Sequence, residues 1–92
     1  MTDHLQKILK ELKKGLTRIY GDKLDSVILY GSQARGDAVS DSDVDVLVVL
    51  KSDFNYGEML DLSSDLIASL SLEEDVVISR AFVSRVEFEQ KQ

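Results

Sequence analysis

Apolar residues recur at three- and four-residue spacing through the first twenty positions: Leu5, Ile8, Leu9, Leu12, Leu16 and Ile19. That period predicts an amphipathic helix over residues 3–20. At 100° per residue, Lys7, Lys10, Lys14 and Arg18 fall on the face opposite the stripe. Thr2 or Asp3 can cap its start, and Gly21 suits a left-handed stop. The pattern then shortens. Residues 23–30, with their β-branched and aromatic side chains, predict a strand that ends at Gly31. Residues 43–51 predict a second strand, whose unbroken apolar half at 46–50 implies burial on both faces and a central place in a sheet. Residues 56–70 return to the helical period, with Tyr56, Met59, Leu60, Leu62, Leu66, Ile67 and Leu70 on one side and Glu58, Asp61 and Asp65 on the other. Residues 75–83 predict a third strand, and Ser84-Arg85-Val86-Glu87 matches a capping box that opens another helix.

The order predicts one small α/β (α+β) domain over residues 1–92. Its three-stranded mixed sheet carries two main helices on one face, and a third helix starts at the C-terminus. Ninety-two residues allow one core and leave none for a second. The chain has no cysteine, which removes disulfide frameworks and thiolate zinc sites and fits a reducing cytoplasm. Its longest apolar run is far too short for a membrane span. The net charge of −6 argues against non-specific nucleic-acid binding. That charge is uneven: residues 1–23 hold six basic side chains against three acidic ones, which leaves −9 on the remainder.

The chemistry concentrates in residues 30–46, Tyr-Gly-Ser-Gln-Ala-Arg-Gly-Asp-Ala-Val-Ser-Asp-Ser-Asp-Val-Asp-Val. Gly31 lets the backbone approach a phosphate closely. Ser32 adds an amide and a hydroxyl, and a helical turn over 32–36 would aim free N–H groups at the same anion. Arg35, one turn on, offers a fork suited to phosphate oxygens. Because strand side chains alternate, Asp43 and Asp45 share a face while Val44 and Val46 point into the core. Two carboxylates so close repel unless a cation sits between them, and magnesium takes such oxygen ligands together with waters and substrate phosphates. Two ions would clamp an in-line displacement. A third acid is then wanted from a neighbouring strand. Asp75, at the predicted start of the third strand, is the candidate, and Glu74 is the alternative. Asp37 and Asp41 read as polar loop residues, His4 as surface, and Tyr20 and Tyr30 as packing. Other motifs fit poorly. An EF-hand loop from Asp41 would need glycine sixth and glutamate twelfth, where the chain has Val46 and Ser52. A Walker-type loop needs the absent Gly-Lys-Ser/Thr.

Gly31-Ser32, ten intervening residues and Asp43-Val44-Asp45-Val46 together are similar to the signature of the DNA polymerase β-type nucleotidyltransferase superfamily. The longer Gly-Ser-Gln-Ala-Arg-Gly-Asp-Ala…Asp-Ser-Asp-Val-Asp-Val-Leu-Val resembles the minimal nucleotidyltransferases of prokaryotes, and the likeness runs over essentially the whole chain. It implies a partner, a helical HEPN-domain toxin, with this chain as antitoxin. It also implies ATP as substrate, two Mg2+ ions, and AMP transfer to a tyrosine of the toxin. By position, Gly31 and Ser32 would hold the triphosphate, Asp43 and Asp45 the metals, and Arg35 lies in the part of the motif tied to activity. Size points to a protein acceptor, since no residues remain for an acceptor-binding domain. The competing reading is a non-catalytic antitoxin that covers its partner. A nucleotide-binding regulatory domain is a third.

Overall fold

The computed structural model describes residues 3–30 and 43–90. Helix α1 spans Asp3–Tyr20 and buries Leu5, Ile8, Leu9, Leu12 and Leu16 of the predicted stripe together with Tyr20, while Ile19 is only partly buried. Gly21 takes φ 56°, a conformation that costs glycine nothing sterically, and a short 3-10 turn, Gly21–Lys23, leads into β1, Leu24–Tyr30. Strand β2, Val44–Leu50, follows, then helix α2, Tyr56–Glu74, strand β3, Ile78–Ser84, and helix α3, Arg85–Gln90.

The sheet order is β1-β2-β3, so the most apolar strand is central, as its composition predicts. β1 and β2 run antiparallel, whereas β2 and β3 are parallel and joined through α2. Parallel neighbours require such a crossover, which makes the sheet mixed. Val44, Val46, Val48 and Leu50 are buried in one cluster with Leu5, Ile8, Leu12 and Leu16 of α1 and Met59, Ile67 and Leu70 of α2. Both long helices therefore cover one face. The other face carries Asp45, Leu47 and Val49 of β2 in register with Tyr30, Ile28 and Ser26 of β1 and with Ser79, Ala81 and Val83 of β3.

Two boundaries differ from expectation. Helix α2 continues to Glu74 rather than stopping near 70, because Ser71-Leu72-Glu73-Glu74 contains no breaker. It ends at Asp75, which adopts φ 54° and donates its N–H to the Ser71 carbonyl. Asp does in this left-handed position what Gly21 does after α1. Strand β3 accordingly begins at Ile78, not at 75.

The apolar face of α2 is also narrower than the predicted one. Tyr56 and Leu62 are exposed at 45% and 54%, while Ser63 is fully buried at the centre of the stripe. Ser63 satisfies its hydroxyl by donating to the Met59 carbonyl at 3.1 Å and accepting from Arg80 Nε at 2.8 Å. Arg80 also donates from Nη2 to the Leu60 carbonyl at 2.8 Å. Tyr20 reaches the Met59 carbonyl from α1. Burial lifts the Tyr20 phenol above its ordinary value, against the opposing pull of Ser63 and Arg80. A polar knot thus pins α1, α2 and β3 together inside an otherwise apolar core.

At its entry, α2 is capped by the Asn55 side chain, which accepts from the Glu58 N–H at 3.0 Å. At α3, Ser84 Oγ accepts from the Glu87 N–H at 3.2 Å and donates to the Glu87 carboxylate at 3.1 Å. The predicted capping residues are therefore paired, with the glutamate closing on the serine hydroxyl. Tyr56 accepts the Phe82 N–H at 3.2 Å and stacks edge-on to its ring at 5.4 Å, which shields part of the β3 edge.

Candidate active site

Strand β2 brings its acidic end to the side of the sheet that the two long helices leave uncovered. Val44 and Val46 are buried on the helix face at 1% and 0% exposure. Alternation sends Asp45 to the opposite face, where it is partly buried, and Asp43, one step before the strand, is exposed. The Val44 N–H donates to the Val77 carbonyl at 2.8 Å, which ties this end of β2 to the approach of β3. In sequence both carboxylates follow Gly31-Ser32, Asp43 after ten intervening residues. Gly31, Ser32 and Arg35, with Asp37 and Asp41, lie outside the described residues.

The flanks of Asp45 follow from the register. Tyr30 pairs with it on β1 and Ser79 pairs with it on β3. Directly paired residues share a face about 5 Å apart. Tyr30 is 41% exposed, a surface aromatic beside the carboxylate rather than a packing residue of the core. Ser79 is exposed, between buried Ile78 and Arg80, whose side chain turns to α2. Sequence reasoning missed Ser79 and Arg80 because strand register and face are tertiary properties.

The two candidates for a third acid stand elsewhere. Asp75 is the exposed residue that closes α2, three positions before β3 begins. Glu74 points to α1: it accepts from His4 Nε2 at 3.0 Å and pairs with Lys7 Nζ at 3.4 Å. Burial works to raise the Glu74 carboxyl, but the hydrogen bonds and charges of His4 and Lys7 outweigh it and hold the group below its ordinary value. Among the described residues, no three acidic, histidine or cysteine side chains converge as a metal site. Asp43 and Asp45 do offer hard oxygen donors on an open face. That suits a cation completing its shell with water and phosphate oxygens, as magnesium does. Among the described residues, no helix is long and apolar enough to cross a membrane.

Comparison with known proteins gives a consistent picture. The family described as polymerase beta, nucleotidyltransferase matches residues 6–90. Three Methanocaldococcus jannaschii proteins, each provisionally named a protein adenylyltransferase, are similar in sequence. One is 36% identical over 94% of this chain and 80% of its own length. Another is 59% identical over 48% of this chain and 44% of its own. A third is 50% identical over 52% of this chain, and the match covers 33% of that relative. The matched stretch thus spans less than half the length of two of these relatives. No solved structure gives a significant match.

Proposed function

Because the chain belongs to the polymerase beta nucleotidyltransferase family, we propose that it transfers AMP from ATP to a hydroxyl on a partner protein. The acceptor in this reading is a tyrosine of a HEPN-domain toxin, and the chain is its antitoxin. The observation that carries the proposal is the placement of Asp43 and Asp45. Asp45 stands in the central strand on the face the two long helices leave open, and Asp43 is exposed one step before that strand. Both follow Gly31-Ser32 in the sequence, Asp43 after ten intervening residues.

In this reading Gly31 and Ser32 receive the triphosphate through backbone and hydroxyl donors, and Arg35 grips a phosphate oxygen. Asp43 and Asp45 would hold Mg2+, which supplies charge neutralisation at the triphosphate. The acceptor oxygen attacks the α-phosphorus, the bond to the bridging oxygen breaks, pyrophosphate departs, and the hydroxyl proton passes to solvent. Such chemistry depends on positioning and electrostatics more than on a covalent nucleophile. The names of the relatives support the protein acceptor, and the chain's net charge of −6 speaks against a nucleic-acid one.

Incubation with α-labelled ATP, Mg2+ and a HEPN-domain protein as the acceptor tests the proposal. The expected result is label on the partner, one AMP by mass, lost in Asp43→Asn and Asp45→Asn. No incorporation by the intact chain would refute it. The neutral Ser79 beside Asp45 favours one second reading, an antitoxin that acts by binding alone. Under that reading the Asp43→Asn/Asp45→Asn double variant would still neutralise the toxin fully.

A further inference from the structure

Among the described residues, β3 places no charged side chain in register beside Asp45, and the reason is structural. Three residues of the segment 74–79, which leads from α2 into β3, carry oxygen side chains: Glu74, Asp75 and Ser79. Glu74 is engaged by His4 and Lys7 on α1. Asp75 is held in the left-handed turn that stops α2, with its backbone bonded to Ser71. Ser79 alone among these three sits in register beside Asp45 on the uncovered face, where a strand neighbour would present a third carboxylate. Val77, the other outward residue on that approach, is apolar and 59% exposed.

We propose that Ser79 holds the third-acid position of the site as a neutral hydroxyl, so that a divalent cation binds weakly to the empty protein and tightly once a nucleoside triphosphate supplies the missing oxygen charge. This inference rests on the nucleotidyltransferase reading of Asp43 and Asp45 and deepens it. The physical argument is one of charge count. Two carboxylates on an exposed face stay largely hydrated, and each further anion in the shell adds Coulomb attraction for a dication. A triphosphate carries that charge in with it. The cation is therefore recruited with the nucleotide rather than stored beforehand, and Ser79 sets that order.

Mn2+ binding, followed by electron paramagnetic resonance and by calorimetry with and without ATP, tests this without reference to turnover. Wild type should bind Mn2+ weakly alone and at least about tenfold more tightly with ATP. Ser79→Asp should tighten nucleotide-free Mn2+ binding by at least about tenfold, the scale expected for one added carboxylate about 5 Å from a dication at water-like dielectric. Ser79→Ala should leave it unchanged. Ser79→Glu provides a second acidic variant, and thermal melts establish that each is folded. Tight nucleotide-free binding by wild type would overturn the proposal, as would folded acidic variants with wild-type affinity. The underlying reading fails differently: wild type would then bind no Mn2+ even with ATP, or Asp45→Asn would bind it as well as wild type.

Discussion

Replacing Arg80 by methionine removes the charged centre of the polar knot while keeping most of the apolar stem. The side chain is partly buried on the helix face of β3, and no carboxylate among the described residues forms an ion pair with it. Its anchors are Ser63 Oγ and the Leu60 carbonyl, both at 2.8 Å. Hydrogen bonds from a charged donor contribute about 1.5–3 kcal/mol each, so the gross loss is roughly 3–6 kcal/mol. Two effects reduce it. Ser63 still donates to Met59, and Leu60 still accepts from the Ser64 hydroxyl at 2.8 Å, so neither acceptor is stranded. The desolvation cost of the guanidinium also disappears. We expect a net loss of about 1.5–3 kcal/mol, against roughly 5–14 kcal/mol for a domain of this length. In urea unfolding the midpoint should fall by about 1 M with an unchanged slope. Arg80→Lys should lie between, because one ammonium cannot span both acceptors as a fork does. A methionine variant within about 0.5 kcal/mol of wild type would refute the claim that this contact fastens β3 to α2.

Other outcomes follow from the same structure. Leu12, fully buried in α1, should cost about 2–5 kcal/mol as Leu12→Ala, measured by thermal unfolding. Asp45→Asn should raise the stability of the metal-free protein by about 0.5–1 kcal/mol through relief of repulsion from Asp43, while lowering AMP transfer by at least about 10²-fold; stability and activity thus move in opposite directions. Glu74 has a lowered folded-state value, so its contribution is complete above its ordinary 4.5 and lost as pH falls through the lowered value. Glu74→Gln should flatten that acid limb of stability against pH. Tyr20 shows the reverse sign: its raised phenol stabilises below about pH 10, and that contribution is lost as pH rises further. Tyr20→Phe should abolish this alkaline limb and cost about 1 kcal/mol at neutral pH for the lost hydrogen bond to Met59.

Local rules carry much of this protein. The period of α1, the glycine that stops it, the central position of β2 and the serine cap of α3 are all legible from residue order, because each depends on neighbours a few positions apart. So is the outward side of Asp45 between buried Val44 and Val46, which follows from alternation within β2. What residue order left open was the partner across the strand. The start of β3 at Ile78 depends on a helix that runs on to Glu74 and on Asp75 taking a conformation usually left to glycine. With β3 starting at Ile78, the residue beside Asp45 is Ser79, four positions after Asp75. Tertiary structure also decided that a serine stands at the middle of the buried face of α2, since Arg80 from a distant strand and Tyr20 from another helix complete its surroundings. Hydrophobic period alone cannot anticipate a polar group whose partners lie on other elements.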